Sequence, residues 1–296
     1  MIVFNRHIVF QNEETLQTHI SHDSLETINV AEEKEYSLQK NFLLKSGWYP
    51  MSGREMRYYS SKPFEEAGRI FSWALEIKDT MTLVWDADQR NILYTKKKEY
   101  TPQILKFWVL HTFIPLILEL ERSYHFLHVG SVEVADKAVL FSAFSYGGKS
   151  TLTDYFMQNG HAMLTDDSIA IESRGDTYFA VSSYPFHRPF REIETLGYPV
   201  VNFVTDPKPI HAVYLLEKSE PDVAIEVTEL KGIEKFKAFY YSSFIDFDFM
   251  KQERFGFFAE MAKNVAIYKI TIPWNIERLD EVYHTIVDRI DPPDMV

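Results

Sequence analysis

The stretch "AVLFSAFSYGGKSTLTDYF", residues 138–156, constrains this chain more than any other. A run of small and apolar residues fits a buried strand. Gly147 and Gly148 then break it, and Leu152, Tyr155 and Phe156 follow at helical spacing. A strand that turns through glycine into a helix leaves several backbone N–H groups converging at the positive end of a helix dipole, which favours an anion such as phosphate. The pattern approaches G-x-x-x-x-G-K-[ST], with Ala143 at the first position. Alanine is tolerated there if its φ stays negative. In such a turn Lys149 reaches the outer phosphates and the Ser150 hydroxyl serves Mg²⁺. The expected nucleotide-binding set is Ser145, Gly147, Gly148, Lys149, Ser150 and Thr151.

Bulk properties narrow the function classes. The formal net charge of −12 over 296 residues argues against a nucleic-acid partner. It leaves nucleotide binding open, because a lysine and a few N–H groups suffice locally. No cysteine is present, which excludes disulfides, thiolate metal sites and cysteine nucleophiles and fits a reducing compartment. The opening "MIVFNRHIVFQNEETL" has neither the long apolar core nor the small-residue cleavage site of a signal peptide, so a cytoplasmic location is expected. The most lipid-like run, "FWVLHTFIPLILELE", contains His111 and Pro115 and is flanked by Lys106 and Glu119. It predicts a buried helix over 102–121, with Thr101 as N-cap and Pro102 in the first turn, and no membrane span.

Residues 1–100 read as a β-rich region. "TMTLVWDADQRNILYTKKK" alternates apolar and polar around a polar turn and predicts a hairpin, while "KPFEEAGRIFSWALEI" fits helix or strand. The remainder, 101–296, reads as one region of mixed α and β, bridged to the first by the 102–121 helix. Within it, "FLHVGSVEVADKAVLFSAF" predicts two strands joined at Asp136-Lys137. "HAMLTDDSIAIES" and "NVAIYKITIP" predict further strands. "WNIERLDEVYHTIVDRI" predicts a helix whose apolar face carries Ile276, Leu279, Val282, Ile286 and Ile290. Gly160 is placed to end the helix after the glycine turn.

Asp166 and Asp167 follow in the next predicted strand. A carboxylate there can hold Mg²⁺ or take the proton of an attacking hydroxyl, and two adjacent carboxylates separate in pKa. Arg188 and Arg191 in "FHRPFRE" could clamp a transferring phosphoryl group. "FKAFYYSSFIDFDFM" reads as core or protein interface.

Four segments occur in order: "LHVGSVEV", "SAFSYGGKST", "NGHAMLTDDSIAI" and "FREIETLG". Together they resemble the catalytic domain of the HPr kinase/phosphorylase family of bacterial serine kinases, well over 125–200 and loosely to 290. The resemblance implies an α+β fold: a phosphoenolpyruvate-carboxykinase-like P-loop kinase domain on a mainly β scaffold. It implies ATP and Mg²⁺ as cofactors and a homo-oligomer. It casts Lys149 as the phosphate lysine, Ser150 as a metal hydroxyl, and Asp167 as acid/base with Asp166 beside it. His128 would tune Asp167, and Glu192 would be a second metal carboxylate, with Asp167 able to join the metal set.

The chain also departs from that family. Ala143 and Tyr146 replace loop glycines, and "EIETLG" lacks a glycine. "KNVAIYKITIPWN" only begins like the family's C-terminal signature, the segment tied to dephosphorylation and to the HPr partner. The family's catalytic arginine has no clear counterpart, and Lys231 is a weak one. The expectation is an ATP- and Mg²⁺-dependent kinase acting on a hydroxyl, serine of a protein or peptide. The alternatives are a nucleotide-binding sensor or scaffold without transfer chemistry, and a kinase of a small metabolite.

Overall fold

The structure is a computed structural model that describes residues 1–11, 25–144, 147–189, 192–241 and 247–290. It is a mixed α/β fold, mostly strands with some helices. The chain divides into two compact units. The first is Met1–Ser123 with Arg191–Leu196; the second is Tyr124–Phe190 with Gly197–Val296.

The first unit is built on a nine-stranded sheet. The predicted hairpin is present: Met81–Asp86 pairs antiparallel with Asn91–Lys96. The ambiguous stretch before it ends in the fully buried strand Trp73–Ile77, and the rest of it is turn and bend. Alternating burial in Asn91–Lys96 shows one face on the core and one outside.

The apolar helix runs from Pro102 to Leu120, and Thr101 Oγ1 accepts from the Ile104 N–H as expected of an N-cap. Its middle, Trp108–Phe113, is a π-helical segment. Pro115 stands just beyond and cannot donate to the carbonyl four residues back, so a widened turn relieves the break. The helix is long and apolar enough to cross a bilayer, yet 83% of its apolar window is buried in the protein. Phe113 packs on Trp73 with ring centroids 4.8 Å apart. The helix therefore belongs to the N-terminal unit, whose boundary falls after Ser123 rather than near 100, and it is not part of the second region.

The second unit is organised by the long strand Lys208–Ser219. Its body pairs parallel with Lys137–Ser142 on one side and with Ala266–Pro273 on the other, and its start pairs antiparallel with Thr177–Val181. Strands buried on both faces read as continuous apolar runs, which explains why "AVLF" does not alternate. Ala138, Leu140 and Val213 face one core with Ala238, Phe239, Phe258 and Met261 from two helices. Val139, Phe141 and Tyr214 face the other with Leu152, Phe156, Val282, Ile286 and Ile290.

The expected hairpin joins Gly130–Val134 to Lys137–Ser142, with Ala135 and Asp136 both at positive φ in the tight turn. The C-terminal helix starts later than expected. Ile276–Arg278 is a 3₁₀ turn, the α-helix is Leu279–Ile290, and Ile276 is exposed rather than on the apolar face. From the aromatic-rich segment, Phe239 and Met250 are buried and residues 242–246 lie outside the described set.

Candidate functional site

The buried strand Lys137–Ser142 ends at Ala143, and the helix Lys149–Gln158 begins six residues on. Gly148 precedes the helix with φ +88°, a conformation costly for any residue with a Cβ. A Cβ on Gly147 would come within 2.6 Å of the Ala143 Cβ. Ala143 keeps a φ outside the left-handed region, so its methyl fits because Gly147 has none. Ser145 and Tyr146 lie outside the described residues. Ser150 is half-buried and Thr151 is exposed at the first turn of the helix.

A lysine at a helix start is expected to be partly exposed. Lys149 is instead buried, and its ammonium donates to the Ala143 carbonyl at 3.0 Å. A charged donor folded back on the loop's own carbonyl holds the turn closed across its first and last members.

The aspartate pair interrupts what was expected to be a single strand. Met163–Thr165 ends at Asp166, and Ile169–Arg174 begins after Ser168. Thr165 organises the break: its hydroxyl donates to the Ser168 carbonyl at 2.8 Å and accepts from the Asp167 N–H at 3.3 Å. The two carboxylates point to different partners. Asp167 Oδ1 is 3.0 Å from His128 Nδ1, the pairing implied by the resemblance. Asp166 Oδ2 accepts from the Arg188 backbone N–H at 2.8 Å and is 3.0 Å from His187 Nδ1. Asp166 Oδ1 is buried without a hydrogen-bond partner among the described residues.

Three contributors escape the sequence reading. His187 sits between two carboxylates, with Nε2 3.7 Å from Asp154 Oδ1 on the glycine-turn helix. The ring thus lies between that helix and the aspartate pair, although neither of its nitrogens makes a hydrogen bond among the described residues. Tyr184 is fully buried; burial pushes its phenol well above the ordinary value, Asp167 and Asp166 add to this, and Arg188 opposes it. The phenol therefore stays neutral beside the carboxylates. In "FHRPFRE" the arginines are the candidate phosphoryl clamp, while it is the histidine ahead of them that meets Asp166.

The remaining candidates are Glu192, Arg191 and Lys231. Glu192 is exposed, in the short segment that packs with the N-terminal unit, and its carbonyl accepts from the Thr195 hydroxyl at 3.4 Å. In the same segment Glu194 is the structural carboxylate: it receives Arg54 Nε and Nη2 at 3.0 and 2.7 Å and Trp108 Nε1 at 2.6 Å. Arg191 lies outside the described residues. Lys231 is exposed just ahead of the helix Ile233–Tyr241, which packs on the sheet face opposite the glycine-turn helix. Among the described residues no group of three or more His, Asp and Glu is arranged to hold a metal.

No protein-family model matches the chain, and no curated protein matches it in sequence. Its fold is similar, distantly, to a solved structure of the Hpr(Ser) kinase/phosphatase from Coxiella burnetii. The TM-score is 0.34 and the identity 15%, over 56% of this chain and 95% of that one.

Proposed function

We propose that the second unit is an ATP- and Mg²⁺-dependent kinase that phosphorylates a hydroxyl, serine of a protein or peptide, through a phosphoenolpyruvate-carboxykinase-like site. One observation supports the reading: His187 stands 3.7 Å from Asp154 on the glycine-turn helix and 3.0 Å from Asp166 of the aspartate pair, which brings the glycine turn and the carboxylates near one another. A helix opened by two glycines and a lysine suits a polyphosphate, and a histidine-paired carboxylate suits a proton acceptor.

In this mechanism the N–H groups at Gly148–Thr151 and the Lys149 ammonium hold the β- and γ-phosphates. Lys149 exchanges the Ala143 carbonyl for a phosphate oxygen when nucleotide enters. Asp167 accepts the proton of the acceptor hydroxyl as that oxygen bonds to the γ-phosphorus. The bond from γ-phosphorus to the bridging oxygen breaks, and ADP leaves with its electron pair. His128 holds the Asp167 carboxylate in place and responds to its charge.

The donor set suits Mg²⁺. That ion takes one or two carboxylates beside phosphate oxygens and water, and Ser150, Asp167 and the unpartnered Oδ1 of Asp166 are hard oxygen donors. When bound, the ion neutralises charge on the phosphates. Glu192 enters the metal set only through the family resemblance.

The test is incubation with γ-labelled ATP, Mg²⁺ and fractionated lysate. Label on a protein or peptide serine is the expected result. Label on a small metabolite would change the acceptor class, and tight ATP binding with no transfer to any acceptor would replace the kinase by a sensor.

A further inference from the structure

A cavity of about 220 Å³ opens beside the glycine turn, within the second unit. Gly147 and Gly148 line it together with the apolar side chains of Leu152, Leu216 and Ile272. Trp274 and Ile276, from the segment that follows the last strand, line it as well. These two are exposed by 46% and 74%, so large apolar side chains line the cavity without being covered themselves. A polar protein surface seldom gathers such side chains around a concavity unless something apolar seats there.

Resting on the phosphate-site reading above, we propose that this cavity takes the nucleobase of the bound nucleoside triphosphate. Continuity decides the occupant. The cavity and the phosphate turn share Gly147 and Gly148, so one ligand must carry an anionic end to the helix and a flat apolar end to the tryptophan. The wall is built to hold a planar ring. The Lys218 ammonium sits 3.9 Å from the centroid of the Trp274 ring and fixes the indole in place. The ring lies so close to the turn that a Cβ on Gly148 would meet its Cζ3 at 3.6 Å. Asn275 lines the same cavity, and its Oδ1 already accepts from the Glu277 N–H. The base would therefore meet the Nδ2 donor, which suits a ring nitrogen.

The chain carries its own probe. Of its five tryptophans only Trp274 is in the second unit. Calorimetry on the full chain would compare ATP with inorganic tripolyphosphate, which keeps the phosphates and lacks the base. ATP is expected to bind at least tenfold more tightly and, unlike tripolyphosphate, to change the emission that the Trp274→Phe variant loses. Trp274→Ala combined with Ile276→Ser should bring ATP down to the tripolyphosphate affinity while leaving tripolyphosphate unchanged. Trp274→Phe, which keeps a ring, should retain most of the difference.

Equal affinity of ATP and tripolyphosphate in the wild type would overturn the base site and leave the phosphate site standing. Binding of neither would overturn the reading on which the base site rests, and with it the base site. The wild-type comparison decides even if the double variant does not fold.

Discussion

His187 Nδ1 lies 3.0 Å from Asp166 Oδ2, and both side chains are almost wholly buried, at 6% and 3% exposure. Removing the ring leaves a buried carboxylate with the Arg188 N–H as its described donor. His187→Ala is expected to destabilise the second unit by about 1–3 kcal/mol. Urea unfolding would measure it. An unchanged midpoint would mean that the contact contributes nothing to stability.

Asp167→Asn keeps the size of the side chain and one acceptor oxygen but cannot take a proton. Phosphoryl transfer should fall by about 10²–10⁴-fold, roughly 3–5 kcal/mol of barrier, while ATP still binds. His128→Ala should alter the pH profile of transfer rather than abolish nucleotide binding. Transfer rates and ATP affinity measured across pH would check both. Equal rates for Asp167→Asn and wild type would remove Asp167 as the base.

Because Lys149 is buried on the Ala143 carbonyl, its loss has two effects. Lys149→Ala should weaken ATP binding by tenfold or more and also cost about 1–3 kcal/mol of stability from the broken charged hydrogen bond. Thermal unfolding without nucleotide separates the second effect from the first. A variant that binds and turns over ATP normally would end the phosphate-site reading.

Gly130 packs against the glycine-turn helix so tightly that a Cβ there would meet Thr153 Oγ1 at 2.3 Å. A β-branched side chain in a helix has little freedom to swing away. Gly130→Ala is expected to cost about 1–3 kcal/mol. Adding Thr153→Ala should return most of it, since the Thr153 Cβ would be an ordinary 3.6 Å away. Additive losses in the double variant would contradict this.

Glu76, in the first unit, resists burial's upward push. Hydrogen bonds from Arg57, Lys97 and Tyr59 bring its carboxyl from the ordinary 4.5 down to about 2. Its folded value lies below its unfolded one, so its contribution is complete above about pH 4.5 and fades as pH falls toward 2. After discounting for solvent screening, the loss is about 1–2 kcal/mol. Urea midpoints between pH 6 and 2.5 should fall more steeply for wild type than for Glu76→Gln.

The sequence was most legible where local chemistry decides structure. Thr101-Pro102 marked a helix start, Asp136-Lys137 a turn that falls one residue earlier, at Ala135-Asp136, and Gly147-Gly148-Lys149 a strand-to-helix junction, because each acts through its own backbone. What escaped depends on residues distant in the chain. The apolar helix joined the N-terminal unit through Phe113 on Trp73 and Trp108 on Glu194, which no periodicity announces. Lys149 looked exposed because its carbonyl partner is created only when the turn closes. His187 carried no pattern of its own; its meaning comes from the two aspartates that meet it.

The long strand Lys208–Ser219 also sets an order of events. Ala138 pairs with Ile210, and Ala212 in turn pairs with Ala266, so the strand that leads into the glycine turn has one sheet neighbour in the hairpin just before it and finds the other only among residues made much later. Parallel pairings across such separations form slowly, because the loop between them must be closed first. On the ribosome, then, "AVLF" emerges as an apolar strand with a hairpin partner on one side and nothing on the other. During that interval it is an unpaired apolar edge of the kind that aggregates, and pairing with residues 208–219 is what covers it.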